Sequence, residues 1–210
     1  QFKQPIIDKA LLSSTTSCRA LAEDKDKNIY ASYYGGIAMK KPGDNSFEAV
    51  GKWHDLINEA KGTYSLNVWN NHLIWNNVII DLKDNSKQYV GLPHNAGHCN
   101  QWIQNDTLWV YIWHTPKLYC YDLKRKRQTE NRLKTQITGD GTYYSAINDI
   151  KMDERGQHFW ISSTFKGIQL VSKSGQLLKQ FDQKGLHTAD NDIQEIEVDG
   201  DQLWFGCTLG

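Results

Sequence analysis

Along this chain, apolar and polar residues alternate over short stretches that are punctuated by Gly, Asp and Asn. In Ile193-Gln194-Glu195-Ile196-Glu197-Val198 the apolar residues recur at every second or third position. Asp199-Gly200-Asp201 interrupts the run, and Gln202-Leu203-Trp204-Phe205-Gly206 resumes it. This pattern predicts two strands joined by a tight turn, because Gly and Asp tolerate the positive φ that short hairpin loops demand. Ile147 to Asp153, followed by Gly156 and then His158 to Ile161, has the same grammar.

Weaker copies precede these two. Cys18 to Asp24 leads to Ile29-Tyr30-Ala31. Tyr64 to Val68 leads through Asn70-Asn71 to Leu73-Ile74-Trp75, and Cys99 to Ile103 leads through Asn105-Asp106 to Leu108-Trp109-Val110. The bulky anchor of the second strand falls at Tyr30, Ile74, Trp109, Trp160 and Trp204, at intervals of 44, 35, 51 and 44 residues. Units of about 40–50 residues with strand grammar are the mark of β-propeller blades, not of helical solenoids. The expected fold is all-β, a β-propeller built from four-stranded antiparallel blades. The repeats run approximately over 17–50, 63–90, 98–128, 146–181 and 192–210, a fragment of a larger propeller with four to five blades in view. Phe2 to Ile7 reads as an outer strand; the fifth repeat, which breaks off after its second strand, is either followed by further blades in the intact protein, the favoured alternative, or completed by Phe2 to Ile7. Anchors pressed between blades predict a loss of roughly 3–5 kcal/mol for Trp160→Ala or Trp204→Ala.

Composition narrows the setting. The 210 residues carry 24 Lys and Arg against 24 Asp and Glu, so no broad basic field exists to hold nucleic acid. No run of about 18 apolar residues occurs, so any membrane attachment is expected through segments outside this chain. The first residue is Gln1 and no signal-peptide pattern precedes it, which gives the expectation of a chain excised or processed from something longer. Cys18, Cys99, Cys120 and Cys207 form no CxxC pair, and a zinc site is not expected. Cys18 and Cys99 hold matching places in two repeats, which predicts small apolar fillers of the same core layer.

Three motifs invite a chemical reading and lose it. Asp24-Lys25-Asp26-Lys27-Asn28 starts like a calcium loop but has Ile29 at the sixth place and Gly35 at the twelfth, so it reads as a solvated hairpin tip. Lys124-Arg125-Lys126-Arg127 lacks interleaved aromatics and reads as a charged rim that discourages edge pairing. His94-Asn95-Ala96-Gly97-His98 has ligand spacing only if helical, and Pro93 with Gly97 opposes a helix. No G-x-S-x-G elbow is present, and neither a catalytic residue, a metal nor a cofactor is expected.

The stretches Gly185-Leu186, Asn191-Asp192-Ile193, Asp199-Gly200 and Leu203-Trp204-Phe205-Gly206 resemble the two-component regulator propeller repeat. So do Asn148-Asp149-Ile150, Asp153, Gly156, Phe159-Trp160-Ile161 and Gly167-Ile168. Cys207 stands where that pattern has Thr, and Ser162-Ser163-Thr164 replaces its Gly-Thr pair. The resemblance covers residues 145 to 210; before residue 130 only the period and the anchors persist. It implies the periplasmic sensor region of a hybrid two-component histidine kinase of Bacteroidetes type, with oligosaccharides among its ligands. The kinase would lie outside this chain. A propeller-fold hydrolase or lyase, and a protein-binding propeller scaffold, remain the alternatives.

A ligand site is expected at the end of the blades where loops enter the first strand and join the second to the third. Tyr34, Tyr64, His98, Trp113, His114, Tyr144, Phe165 and His187 are the candidate ligand-binding residues there, with Asn76, His94, Tyr143 and Lys166 nearby. Aromatic faces with imidazole and amide donors suit sugar rings. The partners expected are a small molecule or oligosaccharide and a second copy of the chain, with no nucleic acid.

Overall fold

A computed structural model describes residues 6–7, 18, 20–33, 36–53, 65–91, 99–112, 118–129, 147–153, 155–164, 166–189 and 191–208. The strands are β1 (Ile6–Ile7), β2 (Ala20–Glu23), β3 (Ile29–Tyr33), β4 (Gly36–Lys40), β5 (Ser46–Ala49), β6 (Leu66–Trp69), β7 (His72–Trp75), β8 (Val78–Asp81), β9 (Lys87–Tyr89) and β10 (Cys99–Gln104). They continue with β11 (Thr107–Ile112), β12 (Leu118–Asp122), β13 (Arg127–Thr129), β14 (Ile147–Met152), β15 (His158–Ser163), β16 (Gly167–Ser172), β17 (Leu177–Phe181), β18 (Ile193–Asp199) and β19 (Gln202–Cys207). One short helix, α1 (Gln183–Leu186), precedes β18.

The strands form successive antiparallel meanders, the architecture of propeller blades. The first sheet has the order β1-β5-β4-β3-β2, and the next three are four-stranded in chain order. The last pairs β18 with β19. Local chemistry sets the turns. Asn105 and Asp106, between β10 and β11, both have positive φ (48° and 59°), as a two-residue type I′ loop requires, and Gly200 at φ 57° serves the β18–β19 turn. Ile6 and Ile7 pair in parallel with Ser46 and Phe47, so this segment extends the first sheet and does not complete the last.

The chain divides into two compact units, Gln1–Cys99 and Asn100–Gly210. In the first, Tyr30, Ile37 and Trp53 meet Leu66, Leu73, Trp75, Val78 and Ile80, so the core lies between the first two sheets. In the second, Trp109, Tyr111 and Cys120 pack on Ile147, Ile150, Phe159, Ile161 and Val171. Ile168, with Trp160 and Phe181 beside it, packs on Ile193 and Ile196. The fourth sheet thus buries its two faces against the third and the fifth, and each fully buried aliphatic side chain contributes about 1.5–3 kcal/mol.

Three sequence expectations are corrected. Trp204 is 61% exposed, because its side of β19 carries no packed sheet among the described residues, whereas Trp109 and Trp160 each pack toward the following sheet. Cys18 is exposed while Cys99 is buried, since β2 starts only at Ala20 and Cys18 precedes the ladder. The hairpin tip at Asp24 is solvated only in part: Asp24 itself is buried.

The ladders also realign the two strongest repeats. Ile147 pairs with Ser163 and Ile193 with Cys207, each just before a β-bulge. Ile150 then faces Ile161, and Ile196 faces Phe205. Ile193 therefore corresponds to Ile147, not to Ile150, and Asn148-Asp149 correspond to Gln194-Glu195. The Asn-Asp-Ile triplets match as letters, three residues out of structural register.

Candidate functional site

The sheet end carrying the predicted loops is best described in the second unit, where the fourth and fifth sheets meet. Asn148 follows the first residue of β14 and reaches across the seam. Its Nδ2 donates to the Ile193 carbonyl at 2.9 Å, and it also lies 3.2 Å from Thr164 Oγ1 and 3.4 Å from Asp192 Oδ1. Asp192 gathers the other side, accepting from Gln194 Nε2 at 2.7 Å and from Thr208 Oγ1 at 2.9 Å. Asn100, early in β10, makes the same kind of reach, donating to the Ile147 carbonyl at 2.8 Å. An amide at this place bridges the third sheet to the fourth and the fourth to the fifth, because the bulge and the strand start leave carbonyls outside the ladder.

Above this seam the β17–β18 connection is tied down. Asp182 caps α1 by accepting from the Gly185 amide, and Gln183 binds the Ala189 carbonyl through Nε2 at 2.6 Å and the Asn191 side chain through its own amide. His187 terminates the helix at φ 56° in the left-handed region, and its side chain is exposed. Gly167, opening β16, donates its amide to the Asn191 carbonyl at 3.1 Å. Lys166 precedes it, and its carbonyl accepts from Gln180 Nε2.

Of the candidate residues, the structure therefore places His187 at this end, on a loop held by its own hydrogen bonds. Tyr34, Tyr64, His98, Trp113, His114, Tyr144 and Phe165 lie outside the described residues, as do His94 and Tyr143. Asn76, in the β7–β8 turn of the first unit, is buried at φ 52° and accepts from Cys99 Sγ at 3.3 Å, so it serves the turn. The cluster of Asn148, Thr164, Asp192, Gln194 and Thr208 was not expected from sequence as part of a site. The signal was present in the polar residues flanking Ile147 and Ile193, which sit at strand starts.

At the opposite end of the sheets, acidic residues organise hairpins. Asp24 accepts from the amides of Asp26 and Asn28, from Asn28 Nδ2 and from the Tyr30 hydroxyl. Burial pushes its carboxyl up, but these donors outweigh it and hold it below the ordinary value. Asp153 likewise accepts from the amides of Gln157 and His158 and from His158 Nδ1 at 2.7 Å, with the same outcome. Burial pushes the thiols of Cys99 and Cys120 up to about 12, so both are inert apolar fillers at neutral pH. No group of three or more His, Cys, Asp or Glu side chains is placed to hold a metal among the described residues.

Among solved structures, the chain is similar to the extracellular domain assigned to the hybrid two-component system BT3049 of B. thetaiotaomicron. The TM-score is 0.66 at 16% identity, over 93% of this chain and 26% of that one. It is similar in the same way to the extracellular domain assigned to the hybrid system BT4673 of that organism (TM-score 0.59, 14% identity, 90% and 27%). The β-propeller domain of Cps50 (Swd1) from Myceliophteria thermophila is also similar (TM-score 0.57, 10% identity, 93% and 63%). This chain spans about a quarter of the two bacterial domains. No protein-family profile matches it, and no curated protein does. At these identities the likeness establishes the fold, a β-propeller fragment, and its first examples are the kind of protein that the repeat resemblance indicates.

Proposed function

We propose that this chain is part of the ligand-sensing extracytoplasmic region of a hybrid two-component sensor. In this reading it sits in the periplasm, binds an oligosaccharide or related small molecule at the sheet end that carries His187, and signals to a kinase elsewhere in the protein. The observation that supports it most is the likeness to the BT3049 extracellular domain over 93% of the chain, joined to the repeat resemblance over residues 145 to 210. No described helix is long and apolar enough to cross a membrane. The reading assigns no catalytic residue here.

Signalling requires that the ligand bind one arrangement of the receptor better than another. Sheets held by buried interfaces are stiff, so the change is assigned to packing against a second copy of the chain. Isothermal titration of the protein with a panel of oligosaccharides tests the binding step, with His187→Ala as the site variant. Saturable binding weakened by that substitution supports the reading. Failure of every oligosaccharide, or turnover of any of them, overturns it in favour of a scaffold or an enzyme respectively.

A further inference from the structure

The seam between the fourth and fifth sheets holds a group that none of the preceding roles uses. Asp149 is 5% exposed, at the bulge of β14. Its Oδ1 accepts from the Ile150 amide on its own strand at 2.8 Å. Its Oδ2 accepts from the Ile196 amide of β18 at 3.2 Å, so one carboxylate ties the first strands of two sheets together. Directly opposite in the ladder is Ser162 of β15, fully buried, whose hydroxyl has no partner among the described residues. Directly paired residues have Cβ atoms about 4.5–5.5 Å apart, which puts the hydroxyl within reach of the carboxyl by rotation.

The charged groups around it are few. Lys151 Nζ lies 3.8 Å from Asp149 Oδ2 and 3.1 Å from Glu197 Oε2, and Glu195 adds a second carboxylate from β18. Ser162 from β15 and Ile168 from β16 bring no charge. We propose that this seam is a proton-responsive joint, in which Asp149 takes a proton from solvent on Oδ2 and then donates it in a hydrogen bond to Ser162 Oγ. The protonated oxygen is a poorer acceptor for the Ile196 amide, so the bond across the seam weakens while the Ile150 bond on Oδ1 persists. Lys151 keeps Glu197 as its partner. Burial favours the neutral acid here, against the pull of Lys151 and the two amides, and Glu195 adds to it.

The test is a pH titration by NMR of the backbone amides of Ile196 and Ile150 and of the Asp149 carboxyl carbon. The expected result is one shared transition above the ordinary aspartate range, with a larger shift change at Ile196. Below it, exchange protection of the Ile196 amide should fall about two- to tenfold, the weight of one net hydrogen bond. Asp149→Asn should abolish the transition. Ser162→Ala, which removes the acceptor for the neutral acid, should move it to lower pH. An Ile196 amide that does not titrate, or that titrates unchanged in Asp149→Asn, overturns the proposal. Should that variant not fold, an Asp149 carbon signal titrating in the ordinary range, or an unmoved midpoint in Ser162→Ala, overturns it equally.

Discussion

At the scale of single residues, a few positions carry demands that their neighbours do not. Gly167 has φ +69°, and a Cβ there would sit 2.1 Å from the Phe181 carbonyl oxygen, a backbone atom that cannot step aside. Gly167→Ala should therefore destabilise by at least roughly 1–3 kcal/mol, read from urea unfolding midpoints. Asp149 makes a prediction of opposite character. Its folded pKa is raised, so its contribution to stability is fully present below the unfolded value and is lost as pH rises through the folded value. The melting temperature of Asp149→Asn relative to the unaltered protein should accordingly rise between pH 4 and pH 7; a flat or falling difference contradicts the sign. Tryptophans divide by surroundings rather than by type. Trp160 packs with Phe181, ring centroids 6.1 Å apart, whereas Trp204 faces solvent. Buried Ile161→Ala should cost about 2–5 kcal/mol by the same measurement.

At the scale of elements, the hairpins are closed by carboxylates and the seams by amides. Asp153 holds three donors across the β14–β15 turn, and its carboxyl is kept low by them. Its folded pKa is depressed, so the stability it confers is present above the unfolded value near 3.8 and vanishes as pH falls through the folded one. Asp153→Ala should lower the melting temperature at pH 7, with the deficit shrinking toward pH 3. Asn148 does the corresponding work between sheets, and its loss leaves the Ile193 carbonyl without that donor. These elements were largely legible beforehand. The first-strand and second-strand positions and the turns at Asn105-Asp106 and Gly200 follow from alternation and turn chemistry that act within a few residues. The site was less legible. Its expected aromatics come from loops, which have no period to align, and the one described candidate, His187, was readable only as a loop residue before a strand.

At the scale of the whole molecule, stability is a sum over neighbouring sheets. The fourth sheet is packed on both faces, while β18–β19 is packed on one, with Trp204 and Phe205 exposed on the pair. In arrays of this kind protection is highest where a unit has a neighbour on each side. Hydrogen exchange should find the β15 amides, whose sheet is packed on both faces, among the best protected of the described strands, and rapid exchange there would mean that the seams do not set the order of opening.

The sequence by itself determined the strand grammar, the repeat of about 44 residues and hence the propeller class, because alternation and turn propensity are properties of adjacent residues. Tertiary structure alone decided the register and the burial. Corresponding isoleucines in β14 and β18 stand 46 residues apart while their partners in β15 and β19 stand 44 apart, since the intervening turns differ in length. Which tryptophan is covered, which cysteine is inside, and which carboxylate is trapped at a bulge depend on the adjoining sheet. No residue's own neighbours in the chain carry that information.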